Sequence, residues 1–197
     1  MCSDIKGNNI RIIDKIQGKS FFDYIDSLGI EHETYFNTAL PGILRKLVTA
    51  FEAIRFLHSH GFKHGDLRND HILIEHDTGN YVWIDFDYDY GISENPFSLD
   101  LFGLGNILTY AVGKGFHYSH TIKTNAFYYK DLIDHLEQCD FSILKKGRLM
   151  NLQKLYPYIP TSLNDILMHF SIGSDVYYEH ADELIEDLNR YLYSTFR

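Results

Sequence analysis

From Pro41 to His60 the apolar residues Ile43, Leu44, Leu47, Val48, Phe51, Ile54 and Leu57 recur at helical spacing and form one broad stripe. Pro41 suits a first helical turn and Gly61 a stop, so this segment is expected to be a long, deeply buried helix. Ser98–Val112 repeats the pattern and is nearly free of charge except for Asp100, which predicts a second buried helix. Further helices are expected at about Tyr128–Gln138, Thr161–Phe170 and Ala181–Tyr193, the last strongly amphipathic.

Strand patterns are short. Ile10–Ile16 alternates and is β-branched, so it reads as a strand that Gly18 breaks. Ser20 is placed to cap a short helix through Leu28, with Gly29 to end it. His71–Glu75 and Tyr81–Phe86 flank the turn residues Asp77-Thr78-Gly79-Asn80 and read as a hairpin-like pair. The expected architecture is therefore mainly α, with a small β insertion between two long buried helices. No repeat or linker divides residues 1–197, so a single domain is expected.

Composition narrows the function classes. Apolar residues make up 45% and aromatics 15%, a globular rather than disordered balance. The formal charge of −9 argues against a sequence-independent grip on nucleic acid or an anionic membrane. Cys2 and Cys139 match no metal or redox spacing and read as reduced thiols. The first residues are polar and no apolar run approaches the ~18 residues of a membrane span, so a cytoplasmic protein is expected.

Candidate chemistry gathers around the β insertion. After the first long helix comes His64-Gly65-Asp66-Leu67-Arg68-Asn69-Asp70-His71, which leads directly into the first strand; the second strand ends in Ile84-Asp85-Phe86-Asp87. A hairpin-like pair brings Asp66, His71 and Asp85 to one end, where they are able to face a phosphate-bound magnesium. Phosphoryl transfer needs one carboxylate to take the proton of the attacking hydroxyl and other ligands to hold the metal. Arg68 is placed to neutralise charge on the transferred group.

These motifs resemble the protein kinase family and its kinase-like relatives. The family's catalytic loop, His-Arg-Asp-Leu-Lys-x-x-Asn, is matched by His64, Asp66, Leu67 and Arg68, and its Asp-Phe-Gly by Asp85 and Phe86. The resemblance implies that Asp66 is the catalytic base, with Arg68 beside it, and that Asp85 is the main magnesium ligand. His71 stands at the second ligand position, where the family has Asn. Ser98–Leu108 is similar to the family's buried Asp-x-x-x-x-Gly helix, in which Asp100 would hold the catalytic-loop backbone. The segment near residues 9–19 resembles the hinge, and implies that backbone at Asp14, Ile16 and Gly18 touches adenine. IPTSLNDILMHF and HADELIEDLNRYL are similar to the last two helices of bacterial Ser/Thr kinases. The implied cofactors are ATP and magnesium, and the implied fold is the kinase C-terminal lobe.

The departures are specific. No G-x-G-x-x-G occurs and no lysine-bearing strand precedes the hinge-like segment, so the N-terminal nucleotide-gripping lobe is expected to be absent from residues 1–197: the sequence is a fragment, a separate chain supplies that lobe, or nucleotide binding is lost. Only 14 residues lie between Asp85 and Asp100, which is short for an activation and peptide-binding segment. Gly65 replaces the arginine that clamps such a segment, and Asp87 replaces the glycine of Asp-Phe-Gly. Three readings follow: a protein Ser/Thr kinase-like phosphotransferase, a small-molecule kinase of the aminoglycoside or choline type, or a non-catalytic pseudokinase-like module. His64 is expected to brace the loop, His58 and His60 to be helix-end residues, and His117 and His120 to lie in a polar loop.

Overall fold

The two apolar stripes become the two helices at the centre of the molecule. In the computed structural model, which describes residues 2–3, 5–10, 14–85, 94–125, 127–128 and 131–195, the elements in chain order begin with a ladder of β1 (Cys2–Ser3) and β2 (Asn9–Ile10). β3 (Gly18–Ser20), α1 (Phe21–Ser27), α2 (His32–Thr38) and α3 (Leu40–Ser59) follow. Next come β4 (Ile72–Glu75), β5 (Tyr81–Trp83) and α4 (Ser98–Gly113). The chain ends with α5 (Ser119–Thr124), α6 (Thr161–Met168) and α7 (Ala181–Thr195).

α3 packs on α7, α4, α2 and β5. Leu44, Leu47, Phe51 and Ile54 are fully buried there, facing a core that includes Leu104, Ile107 and Leu108 of α4 and Leu188 of α7. Truncating one such residue, Leu47→Ala, costs about 2–5 kcal/mol through lost transfer energy and the cavity left behind. α4 is buried along nearly its whole length, as expected of a helix with no polar face. No helix among the described residues is long and apolar enough to cross a membrane.

β3, β4 and β5 form an antiparallel sheet in that order, with Gly18 opposite Glu75 and Ile72 opposite Trp83. Trp83 ties the hairpin to α3 by donating its indole N–H to the Ala50 carbonyl at 2.8 Å.

Several boundaries differ from the sequence expectation. Of the strand expected over Ile10–Ile16, Asn9–Ile10 pairs and Asp14–Gln17 is irregular among the described residues, and residues 11–13 lie outside them. The strand begins instead at Gly18, because a side chain there would meet the Ile74 carbonyl oxygen at 2.3 Å, so only glycine lets the two backbones pair. Ser20 does cap α1, accepting the Asp23 N–H at 3.0 Å, and the helix stops at Leu28, one residue before Gly29. α6 ends at Met168 rather than Phe170.

The helix expected over Tyr128–Gln138 is replaced by short 3-10 turns at Leu132–His135 and Gln138–Asp140. Asp140, 1% exposed, draws the chain into a turn by accepting from the Glu137 N–H, the Asn151 amide and the Lys154 ammonium. α2 and α5 were not expected. Each is under eight residues and offers too few turns for a period to register.

Candidate functional site

The loop between α3 and β4 is held from outside rather than by its own strand. Gly61, with φ +76, lets the chain leave α3 in the left-handed region that glycine tolerates. Asp100 on α4, 1% exposed, then accepts the His64 N–H at 2.7 Å through one oxygen and the Gly65 N–H at 2.8 Å through the other. The His58 ring nitrogen Nε2 makes a third contact with Asp100 at 3.0 Å and stacks its ring on Phe97. A buried carboxylate with three donors is well satisfied. His58 is thus a partner of Asp100 rather than a simple helix-end residue.

Two glycines of α4 set the approach of the loop and of the end of the chain. A Cβ on Gly103 would lie 2.5 Å from the Leu67 Cβ, and one on Gly105 would run into the Phe170 ring at 2.5 Å. Gly65 itself sits at φ +84, so a side chain at this position would be strained whatever its role.

His64 is buried beneath this loop, with its ring edge to face on Trp83. Its Nδ1 accepts the Asp66 N–H at 3.3 Å. Burial holds its pKa below the usual imidazole value, against the opposing pull of the Asp100 carboxylate. A neutral ring that braces the Asp66 backbone matches the expectation for this residue.

Asp66 then stands next to His71. The His71 Nδ1 lies 2.9 Å from the Asp66 carbonyl oxygen and 3.5 Å from its carboxylate. A carbonyl only accepts, so Nδ1 carries the proton and the lone pair of the neutral ring falls on Nε2. The Ile84 N–H donates to the His71 carbonyl at 3.0 Å, one step beyond the Ile72–Trp83 pair. That bond puts Asp85 at the same end of the hairpin as His71, as the sequence suggested. Asp85 is exposed and held at φ 59, a left-handed conformation that Asp tolerates better than most residues. Phe86 and Asp87 lie outside the described residues.

Arg68 pairs with Asp70. Its Nε donates to Asp70 at 3.0 Å and its Nη2 also bonds that carboxylate, whereas the Asp66 carboxylate is 3.9 Å away. The hydrogen bond from Arg68 lowers the Asp70 pKa, and the same bond raises that of Arg68.

Gly18 lies at the other end of the sheet, with Asp14 and Ile16 in the irregular chain that leads to it. β4 rises about 3.3 Å per residue, so its Glu75 end, opposite Gly18, is about 13 Å from His71. An extended nucleotide has that kind of span, with its base at one end and its phosphates at the other.

The magnesium implied by the resemblance can be tested against these donors. Among the described residues no three His, Cys, Asp or Glu side chains converge on one point. Magnesium is usually held by one or two carboxylates together with substrate phosphates, not by a cage of protein ligands. Asp85 and His71, at the same end of the hairpin, would supply that smaller set, although magnesium prefers oxygen.

A cleft of about 800 Å³ opens beside the loop. Asp66, Arg68 and Arg148 line it, and Phe22, Phe102 and Phe116 supply aromatic surface. Sequence reasoning passed over Arg148: it lies in the polar run Lys145-Lys146-Gly147-Arg148, which reads as an ordinary solvated turn. It also assigned nothing to His117. That ring is buried, with Nδ1 2.8 Å from the Tyr128 hydroxyl and Nε2 3.0 Å from the Gly113 carbonyl, and burial lowers its pKa.

No protein-family model matches the chain, and no curated protein matches it in sequence. In three dimensions the chain is similar to the PknI kinase domain of Mycobacterium tuberculosis, with a TM-score of 0.56 at 13% identity. The match covers 90% of this chain and 64% of that domain, so the chain spans a little under two thirds of the domain it resembles. At this identity the likeness concerns the fold, which is protein kinase-like.

Proposed function

We propose that the chain is an ATP- and magnesium-dependent phosphotransferase of the protein Ser/Thr kinase-like class. The observation that carries this reading is Asp66 set beside His71 on a loop fixed by Asp100, with Asp85 at the same end of the β4–β5 hairpin as His71. A purely structural loop has no need of an exposed aspartate in the left-handed region opposite a histidine whose free nitrogen is set by a backbone bond.

On this reading the Asp66 carboxylate orients the acceptor hydroxyl and takes its proton as the oxygen attacks the terminal phosphate. His71 and Asp85 would hold the magnesium, which when bound draws charge from the phosphate oxygens. Arg68 would move from Asp70 toward the transferred group, because its pairing with Asp70 is exposed and is therefore weakly held. The backbone of Asp14, Ile16 and Gly18 would receive the base. Free Cys139 and the nucleotide requirement fit a cytoplasmic setting.

A second reading, a small-molecule kinase, is favoured by one feature. With only 14 residues between Asp85 and Asp100, little chain is available to lay out a peptide, and a cleft of about 800 Å³ is in the range of small-ligand pockets.

The test is phosphate transfer from ATP by the whole protein, with magnesium, across hydroxyl-bearing peptides and small alcohols. Asp66→Asn should lower the rate by about 10²–10⁴-fold. A rate unchanged in Asp66→Asn removes the proposal, and transfer to alcohols but not to peptides selects the second reading.

A further inference from the structure

Arg148 is 6% exposed, yet among the described residues no carboxylate stands within ion-pair distance of it. Its Nη1 donates to the Asn106 amide oxygen, and its Nε and Nη2 both point to the Tyr118 hydroxyl, at 3.3 and 2.8 Å. The guanidinium lies 3.6 Å from the centre of the Phe116 ring. These neutral partners occupy three of its five N–H groups, leaving two donors and a full positive charge. Buried charges are ordinarily paired, because desolvation is costly when nothing opposes it.

The place of this charge gives it meaning. Arg148 lines the same cleft as Asp66, and so does Lys145. Asn69, another wall residue at 8% exposure, has an amide oxygen with no hydrogen-bond partner. Of the two carboxylates on the cleft wall, Asp70 is already neutralised by Arg68. Asp66 and Arg148 line the same cleft, which therefore holds a carboxylate together with the cations Arg148 and Lys145.

We propose that the cleft binds an acidic phosphoacceptor, a molecule whose hydroxyl sits at Asp66 while its own carboxylate or phosphate sits at Arg148. The proposal rests on the phosphotransferase reading for the role of Asp66, but the anion site stands on Arg148 alone. The chain carries a formal charge of −9, so an anionic ligand gains nothing from the overall field and depends on these local cations. A bidentate oxyanion would supply acceptors for the two unused N–H groups of Arg148. The apolar side chains at the cleft mouth, Phe22, Leu99 and Leu144, would cover the rest of the ligand.

The experiment is equilibrium binding to the whole protein in the absence of nucleotide. The probes are a Ser peptide flanked by Glu, its Gln counterpart, glycerol 3-phosphate and glycerol. The expected result is that an acidic probe binds at least about tenfold tighter than its uncharged counterpart, and that the preference falls as salt rises. Which acidic probe binds tells a peptide acceptor from a small one. Arg148→Met should remove the preference, and the exposed Lys145→Ala should weaken it slightly. Equal affinity for charged and uncharged probes overturns the proposal, and that comparison needs no variant should Arg148→Met fail to fold. Charge-dependent binding without phosphate transfer would leave the anion site standing and remove only the catalytic reading.

Discussion

One oxygen of Asp100 receives the Gly65 N–H at 2.8 Å, so the residue next to the candidate base is positioned by a carboxylate 35 places along the chain. The other oxygen receives the His64 N–H at 2.7 Å. The geometry of the loop therefore depends on how α4 packs, and α4 is fixed by the core. Asp100→Ala leaves two loop N–H groups and the His58 ring without their acceptor. It is expected to cost about 2–4 kcal/mol in urea unfolding, while Asp100→Asn, which keeps one oxygen, costs about half as much. Any phosphotransfer should fall in both.

Gly103 and Gly42 make an opposed pair. Both are helical, and alanine is intrinsically better in a helix by about 1 kcal/mol. At Gly42 a Cβ meets nothing within 4 Å, so Gly42→Ala is expected to stabilise by about 0.5 kcal/mol. At Gly103 the Leu67 Cβ is 2.5 Å away, so Gly103→Ala should destabilise by about 1–3 kcal/mol and displace the loop that carries Asp66. Thermal unfolding of the two variants side by side checks the sign of each.

Much of this arrangement was legible in the chain, for physical reasons that differ by element. α3 and α4 have enough turns for an apolar stripe to stand out, and the hairpin is punctuated by Asp77-Thr78-Gly79-Asn80. That hairpin places His71 and Asp85 at one end, where the backbone of Ile84 pairs with that of His71. What escaped is long-range. Nothing near Arg148 announces that its guanidinium will be buried against Phe116, and nothing near His58 announces Asp100. The strand at Gly18 escaped because its reason is a close approach to Ile74, not a local preference.

Acid should weaken the fold through His32. Its Nε2 donates to the Val112 carbonyl at 2.8 Å and its Nδ1 lies 2.7 Å from the Tyr158 hydroxyl, with the ring stacked on Tyr156. Burial chiefly lowers its pKa from 6.5 to about 4. The unfolded chain therefore takes up this proton first, so the contribution is fully present above pH 6.5 and is lost as pH falls toward 4. His117, also lowered by burial, acts in the same direction. Unfolding midpoints between pH 7 and pH 4 should fall, and His32→Gln should flatten that slope.

Stability and ligand binding should part company at Asp85. With φ at 59, the residue sits where glycine is at ease and alanine is not. Asp85→Ala is expected to be less stable than Asp85→Gly by about 1 kcal/mol. Both should lose magnesium-dependent nucleotide binding equally, since neither keeps a carboxylate. Denaturant titration paired with nucleotide titration separates the two effects.

The central claim is most directly tested by calorimetric titration of magnesium-ATP into the whole protein and into Asp85→Asn, which keeps a residue suited to the left-handed backbone. The account predicts saturable binding to the wild type that needs magnesium and is lost in the variant. No binding by either protein, or equal binding by both, would contradict it.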